Sequence, residues 1–200
     1  MIVEGGQPSG GRPWHWIDGL TIEGLAIVSD DGMIADATGV QPDALKLDAD
    51  QRFFHGHLRA ADVLVHGRNS GEGGSGEAAR RRRIILTRQV EDVVRDPENK
   101  MAVLWNPAAS SFEAAWALTG LRGGRALVIG GTDVFGLFLD RYDTFHLSRA
   151  GGVRLPGGRP VFPGVPQTSP EHRLSGHGLK PDAMRDLDPT AGLTLVAWRR

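Results

Sequence analysis

Short apolar runs alternate with amphipathic segments along most of the chain. Continuous apolar runs between turn residues are typical of strands that are buried on both faces. Such runs predict strands at 24–29, 62–66, 84–87, 101–105 and 126–129. Apolar residues at helical spacing predict helices at 48–61, 110–118 and 132–139. Strands that alternate with helices favour parallel pairing through right-handed crossovers, so the pattern predicts an α/β fold.

The C-terminal part contains strand-like runs that no predicted helix separates. They lie at 144–148, around 172–176 and at 193–198. Consecutive strands without a helical crossover pair antiparallel most simply, so we expect an antiparallel edge there. Residues 1–21 are glycine-rich and show no periodicity. We therefore expect an irregular N-terminal extension at 1–21 and one folded domain at 22–200.

Length and composition exclude several classes of protein. The chain has 200 residues, of which 40% are hydrophobic, and this suits a single domain with a sizeable core. A net charge of -1 gives no reason to expect nucleic acid or a membrane surface as partner. The absence of cysteine excludes disulfides and thiolate metal sites. No membrane-spanning run or signal-peptide pattern is present, so we expect a cytoplasmic protein. The sequence leaves its oligomeric state open between a monomer and a homodimer.

A pair of glycines interrupts "ALVIGGTDVFGLFL", where a predicted strand leads directly into a helix. A helix N-terminus presents unpaired N–H groups and the positive end of its dipole, which favour an anion. Gly130 and Gly131 would let the backbone approach a nucleotide pyrophosphate without a Cβ in the way. A tight turn explains the same glycines, and the Asp133 carboxylate would repel an anion. Both interpretations stay open at this point.

A second candidate loop, "HGRNSGEGG", also follows a predicted strand. Gly67 allows close approach, Arg68 offers a charged fork, and Asn69 and Ser70 offer neutral donors. A solvated surface loop is the alternative. Two such loops at the carboxyl ends of strands in one sheet favour a ligand site, because ligands bind in that crevice of open α/β sheets.

Two acidic residues, Asp48 and Asp50, lie in the first turn of a predicted helix. On its own, Asp50 is best explained as a charge that favours the helix N-terminus, and Asp48 is an alternative bearer of this or any other role. His55, His57 and His66 are interpreted as surface or pocket-edge residues, because nothing near them in sequence completes a coordination set. No metal site is predicted.

Several motifs, taken in their order and spacing, carry a resemblance to a known family. They are "LAIVSDDGMIA", "DADQRFF", "VLVHGRNS", "RRRIILTRQ", "ALVIGGTDVFGLFL", "FHLSR", "FP" at Phe162-Pro163 and the final "GLTLVAWRR". From about Ile22 to the C-terminus, the chain resembles the dihydrofolate reductase superfamily. The resemblance implies a central, mostly parallel twisted sheet with an antiparallel C-terminal edge and helices on both faces.

The resemblance also implies NADPH as hydride donor. Gly130 and Gly131 match the element in which a cis peptide lies beside the cofactor pyrophosphate, and Arg68, with Arg88, would favour NADPH over NADH. The cofactor-binding residues implied in this way are Ala26 and Ile27 beside the nicotinamide, Gly67, Arg68, Asn69 and Ser70 at the phosphates, Thr87 and Arg88 at the adenosine end, and Gly130, Gly131, Thr132, Asp133, Val134 and Phe135 at the glycine turn and the helix after it.

On the substrate side, Asp50 matches the family's buried helix carboxylate, which binds the pterin ring and assists protonation before hydride transfer. Ser148 matches a hydroxyl that supports this carboxylate from a neighbouring strand. Phe53 and Phe54 would line the ring pocket. Arg81 matches the arginine that pairs with the glutamyl carboxylate of folate, although it lies in a run of four arginines that leaves the register open.

Two departures from the family pattern leave the substrate open. The segment "ADATGVQPDALKLD" lacks the tryptophan usual beside the substrate in true dihydrofolate reductases, and Phe135 stands where a tyrosine is common. "HLRAADVLVHGRNS" resembles instead the pyrimidine reductases of riboflavin synthesis. Dihydrofolate is the first substrate expected, a riboflavin-type pyrimidinone is the alternative, and a non-catalytic nucleotide-binding protein is the third interpretation.

Overall fold

The computed structural model describes residues 17–70 and 80–200. Its strands are β1 (Leu20–Val28), β2 (Met33–Ala35), β3 (Val63–Gly67), β4 (Arg82–Leu86), β5 (Val93–Arg95), β6 (Ala102–Trp105), β7 (Gly124–Gly130), β8 (Thr144–Ala150), β9 (Arg159–Pro160), β10 (Lys180–Pro181), β11 (Arg185–Asp188) and β12 (Leu193–Arg199). Its helices are α1 (Asp48–Ala60), α2 (Phe112–Leu118), α3 (Thr132–Leu137) and α4 (Pro170–Gly176), with a 3₁₀ turn at Asp43–Leu45.

Ten of the strands in these residues form one sheet. Its order is β10-β12-β8-β1-β7-β3-β4-β6-β5, with β11 paired to β12, and β2 and β9 form a separate two-stranded sheet. Strand β1 runs parallel to both β7 and β8, and β3, β4 and β6 continue the parallel part. Strand β12 is antiparallel to β8. The mostly parallel sheet with an antiparallel C-terminal edge confirms the predicted fold class.

Alternate residues of β1 face opposite sides of the sheet. Ile22, Ala26 and Val28 belong to the large core, which also contains buried residues of α2, α3 and α4. Leu25 and Ile27 point the other way, into two smaller clusters that include residues of α1. Because neighbouring side chains of a strand alternate in direction, α1 covers one face of the sheet and the other three helices cover the opposite face.

The strand predicted around 172–176 is wrong, because these residues belong to helix α4. The Ser169 side chain accepts a hydrogen bond from the backbone N–H of His172, and Pro170 occupies the first helical position. A serine cap followed by proline and then by the acidic Glu171 is a strong helix start signal. Leu174 anchors the short helix in the core.

Strand β1 begins at Leu20, so it includes residues 20 and 21, the last two residues of the extension predicted at 1–21. Residues 1–16 of that extension lie outside the described residues. Three short strands of the ten-stranded sheet, β5, β10 and β11, are not predicted from the sequence. They lie at the two edges of the sheet and carry exposed or half-exposed residues. Without an apolar run, nothing in their sequence indicates a strand.

Candidate active site

The parallel strands place their carboxyl ends at one edge of the sheet. Gly67 at the end of β3 lies beside Leu86 at the end of β4, and His66 lies beside Gly130 at the end of β7. The loops that contain the two glycine motifs therefore open on the same edge. In open α/β sheets this edge is where ligands bind.

The turn between β7 and α3 exposes its backbone at Gly131. The peptide bond between Gly130 and Gly131 is cis, as the resemblance implies, and Gly130 has a φ of 117°. A Cβ on Gly131 would have no atom within 4 Å among the described residues beyond its chain neighbours, whereas one on Gly130 would lie 3.1 Å from the Phe135 ring. A Cβ on Gly67 would lie 3.4 Å from Val134. Backbone, rather than side chains, thus forms the surface of this turn.

Helix α3 is tied to the small sheet. The Thr132 hydroxyl donates a hydrogen bond to the Pro160 carbonyl at 2.5 Å, and Pro160 belongs to β9, which pairs with β2. Val134 and Phe135 are buried, and Asp133 is exposed. The side chains of Val134 and Phe135 therefore pack on the protein side of the glycine turn.

The loop after β3 presents two exposed polar side chains, those of Arg68 and Asn69. Ser70 is engaged within the loop, because its hydroxyl donates to the Gly67 carbonyl at 2.8 Å and lies 2.7 Å from His66 Nδ1. In the described part of this loop, up to Ser70, Arg68 and Asn69 are therefore the side chains that can reach a ligand.

The end of β4 lies next to that loop. The backbone N–H of Arg68 donates to the carbonyl of Leu86 at 3.2 Å. Thr87 is buried and its hydroxyl oxygen accepts a hydrogen bond from the Gln89 N–H at 3.1 Å, whereas Arg88 is exposed. Arg88 and Arg68 thus belong to neighbouring loops at the same edge.

Asp50 and Ser148 lie between α1 and β8 and are almost completely buried, with exposed fractions of 2% and 0%. Asp50 Oδ1 and Ser148 Oγ have no hydrogen-bond partner among the described residues. Burial raises the pKa of Asp50, and the nearby Ser148 hydroxyl opposes this only partly. Ser148 is beside Ile27 in the sheet, so the carboxylate lies near the carboxyl end of β1.

The other predicted substrate residues occupy different places. Phe53 and Phe54 are partly buried and pack against the cluster that contains Leu25. Arg81 directly precedes β4, at the amino end of that strand, because Arg82 is beside Val63 where β3 begins. The structure therefore brings Asp50, Ser148 and the two phenylalanines to one face of the sheet. It leaves Arg81 at the opposite end of β4 from the glycine loops.

Three ionisable side chains from different elements come together near the C-terminal half of α1, and their sequence positions do not predict this group. Glu23 of β1, His57 of α1 and His146 of β8 have ligand-type atoms within 4.8 Å of one another. Arg125 of β7 forms a bidentate ion pair with Glu23, at 2.9 and 2.8 Å. Burial raises the pKa of Glu23, but His146 and Arg125 outweigh it and lower that pKa to about 2. Only the three-dimensional pairing of β1 with β7 and β8 reveals this group.

No family model and no curated protein matches the chain. Solved structures do match it. One is a protein attributed to riboflavin biosynthesis from Shewanella sp. PV-4, with a TM-score of 0.62, 20% identity, and coverage of 90% of this chain and 99% of that chain. Another is dihydrofolate reductase from Enterococcus faecalis in complex with NADP(H), with a TM-score of 0.60, 18% identity and coverage of 90% and 96%.

A third similar structure is a diaminohydroxyphosphoribosylaminopyrimidine deaminase/5-amino-6-(5-phosphoribosylamino)uracil reductase from Thermotoga maritima. Its TM-score is 0.58 at 21% identity, and the match covers 90% of this chain but 56% of the longer protein. These similarities show that the chain adopts the dihydrofolate reductase-like fold, which the sequence motifs predict. None of the helices in residues 17–70 and 80–200 is long and apolar enough to cross a bilayer.

Proposed function

We propose that the chain is an NADPH-dependent reductase that transfers a hydride to a pterin-like ring, with dihydrofolate as the first substrate to test. The observation that carries this proposal is the buried carboxylate of Asp50, which lies on a helix near the edge where the Gly130–Gly131 turn opens. The fold similarity to a dihydrofolate reductase in complex with NADP(H) supports the choice of cofactor.

The residues at this edge fit a dinucleotide phosphate. No atom of residues 17–70 and 80–200, apart from its chain neighbours, lies within 4 Å of a Cβ position on Gly131, so a phosphate could approach the backbone there. Arg68 and Arg88 are exposed cations on the neighbouring loops and suit a 2′-phosphate. The residues that would hold NADPH are Ala26, Ile27, Gly67, Arg68, Asn69, Ser70, Thr87, Arg88, Gly130, Gly131, Thr132, Asp133, Val134 and Phe135. When bound, NADPH supplies the hydride.

Asp50 would act on the substrate ring. Its carboxylate can accept two hydrogen bonds from an amino-pyrimidine edge, and this orients the ring. Because burial raises the pKa of Asp50, the side chain retains a proton nearer to neutral pH than an exposed aspartate does. Hydride addition to a ring carbon requires a proton on the adjacent nitrogen, and Asp50 is the group that favours this protonation. Ser148 would hold the Asp50 side chain in place.

Steady-state oxidation of NADPH in the presence of dihydrofolate tests the proposal. We expect turnover by the parent protein and a loss of at least about 100-fold in kcat for Asp50→Asn. Asp48→Asn is the matched control, because Asp48 is exposed in the same helical turn, and it should keep the parent rate. No turnover above background by the parent protein would refute the dihydrofolate assignment.

A pyrimidinone of the riboflavin type is the second candidate substrate. The segment 36–46 contains no tryptophan, and its buried Leu45 packs in a cluster with Ile27 instead. The similarity to a riboflavin-biosynthesis protein favours the same substrate class. Incubation with NADPH and 5-amino-6-(5-phosphoribosylamino)uracil, followed by product analysis, separates this candidate from dihydrofolate.

A nucleotide-binding protein without catalytic activity is the remaining alternative. NADPH titration followed by fluorescence distinguishes it from both reductases. Saturable NADPH binding, together with no reduction of either ring, would support the non-catalytic alternative. Absence of NADPH binding would contradict all three assignments.

A further inference from the structure

A second polar centre lies on the same face of the sheet as Asp50. Glu23, His57 and His146 extend from β1, α1 and β8, and their ligand-type atoms lie within 4.8 Å of one another. His57 follows Asp50 by seven residues on α1, which is about 10 Å along the helix axis. The centre is therefore close to the proposed substrate site but separate from it.

His57 is oriented as metal-binding histidines usually are, and His146 is buried beside Glu23. His57 Nδ1 lies 3.0 Å from the Phe53 carbonyl. Because a carbonyl only accepts, Nδ1 carries the proton and Nε2 keeps its lone pair. Metal-binding histidines are usually held in this way, through the other ring nitrogen. His146 is only 8% exposed, and its Nε2 lies 3.6 Å from Glu23 Oε2, beyond hydrogen-bonding distance.

Arg125 competes for the carboxylate of this centre. It donates to both oxygens of Glu23, at 2.9 and 2.8 Å. Each carboxylate oxygen has two lone pairs, so Oε2 can accept from Arg125 and bind a cation at the same time. The positive charge of Arg125 nevertheless repels a second cation nearby, and this repulsion lowers the affinity of the centre for a metal ion.

We propose that Glu23, His57 and His146 bind one divalent transition-metal ion of the Zn²⁺ type. Two imidazoles and one carboxylate are a common protein ligand set for such ions and leave a position for water. In tetrahedral Zn²⁺ sites the ligand atoms are about 3.4 Å apart. His146 Nε2 and Glu23 Oε2 are already 3.6 Å apart, and no pair of ligand atoms in the centre exceeds 4.8 Å, so the atoms need to approach by at most about 1.4 Å. A bound ion would connect α1 to two central strands of the sheet.

The test uses chelator-treated protein without an affinity tag. Co²⁺ is added first, because its visible absorption reports coordination, and Zn²⁺ affinity is then measured by calorimetry. We expect one ion per chain in the parent, and a loss of affinity of at least about tenfold in His57→Gln and in His146→Gln. His55→Gln is the matched control, because His55 is exposed on the same helix, and it should bind as the parent does.

Arg125→Gln should change the Zn²⁺ affinity in the opposite direction from the two histidine variants. Removing the competing guanidinium should raise Zn²⁺ affinity by at least about tenfold, and this test does not depend on whether the histidine variants fold. Circular dichroism of each variant checks that it is folded. Equal binding by the parent and His57→Gln would indicate ion binding elsewhere and would overturn the proposal. Unchanged or weaker binding by Arg125→Gln, or no Co²⁺ spectrum with the parent, would also overturn it.

Discussion

The carboxylate of Asp50 and the hydroxyl of Ser148 come together between helix α1 and strand β8, and both side chains are almost fully enclosed by protein. Asp50 Oδ1 has no hydrogen-bond partner among the described residues. A buried acceptor without a partner is unfavourable for stability, and such groups are common where a ligand completes the contact. The pair is therefore the part of the molecule from which most of the functional proposal follows.

Replacing Asp50 by asparagine should stabilise the free protein at neutral pH. Burial raises the pKa of Asp50 above its ordinary value of 3.8, so the folded state favours the protonated side chain. The contribution of Asp50 to the stability of the parent is thus greatest below pH 3.8 and falls as pH rises through the raised pKa. We expect a higher free energy of unfolding for Asp50→Asn at pH 7, with a gain that shrinks at low pH.

Denaturant unfolding at several pH values measures this difference. Asp48→Asn is the control and should change stability in the opposite direction, by about 0.3–1 kcal/mol, because it removes a charge that favours the helix N-terminus. A lower stability of Asp50→Asn at pH 7, or a difference independent of pH, would contradict the role assigned to burial.

The two glycines of the turn after β7 should respond differently to alanine. Gly131→Ala has room for the added methyl, so its stability should match the parent, while NADPH binding should weaken by about tenfold or more. Gly130→Ala combines a φ of 117° with a close approach to Phe135 and should lose about 1–3 kcal/mol. Unfolding curves and NADPH titrations of both variants check this. Parent-like NADPH affinity in Gly131→Ala would be inconsistent with a phosphate at the turn.

Arg68 should determine part of the preference for NADPH over NADH. Its exposed guanidinium lies in the loop after β3, where it suits a 2′-phosphate. We expect Arg68→Gln to weaken NADPH binding by about tenfold and to leave NADH binding unchanged. The ratio of the two dissociation constants is the measurement. Arg95→Gln, on the edge strand β5, is the control and should keep the parent ratio.

Ser169 should contribute measurably to stability as the cap of α4. Its side chain accepts from the His172 N–H at 3.1 Å, so Ser169→Ala should lower the free energy of unfolding by about 1 kcal/mol. For a domain of this length the Tm should fall by about 2–4 °C. Ser175→Ala changes an exposed serine in the last turn of the same helix and should have little effect. Equal effects of the two substitutions would argue against capping.

Most of the sheet follows from the sequence, because its central strands are continuous apolar runs. β3, β6 and β7 appear within two residues of their predicted bounds, since strands buried on both faces must be apolar throughout. The edge strands β5, β10 and β11 are not buried on both faces, so their sequences contain no continuous apolar run that would predict a strand. Helix α4 is short, and its start depends on a cap at Ser169 rather than on periodicity.

The candidate site, like the sheet, contains some residues that the sequence predicts and others that it does not. The motifs that surround Asp50 and Gly130 lie within contiguous stretches of sequence, so a family resemblance can identify them. Glu23 and His146 are 123 positions apart and meet because β1 and β8 are adjacent in the sheet. Each residue interrupts an apolar strand, and although His146 lies in "FHLSR", nothing in that motif indicates a contact with Glu23. A contact of this kind depends on strand order, which composition and spacing do not determine.

The position of β1 also affects how the chain is made. This strand is complete by residue 28, but its two neighbours end at residues 130 and 150. During synthesis, β1 can pair with β7 and β8 only after most of the chain has left the ribosome. Contacts between residues so far apart in sequence also form slowly. A product that stops before residue 124 would carry an apolar strand with neither partner. Such a fragment should aggregate rather than fold, which makes completion of the C-terminal half a condition for solubility in the cell.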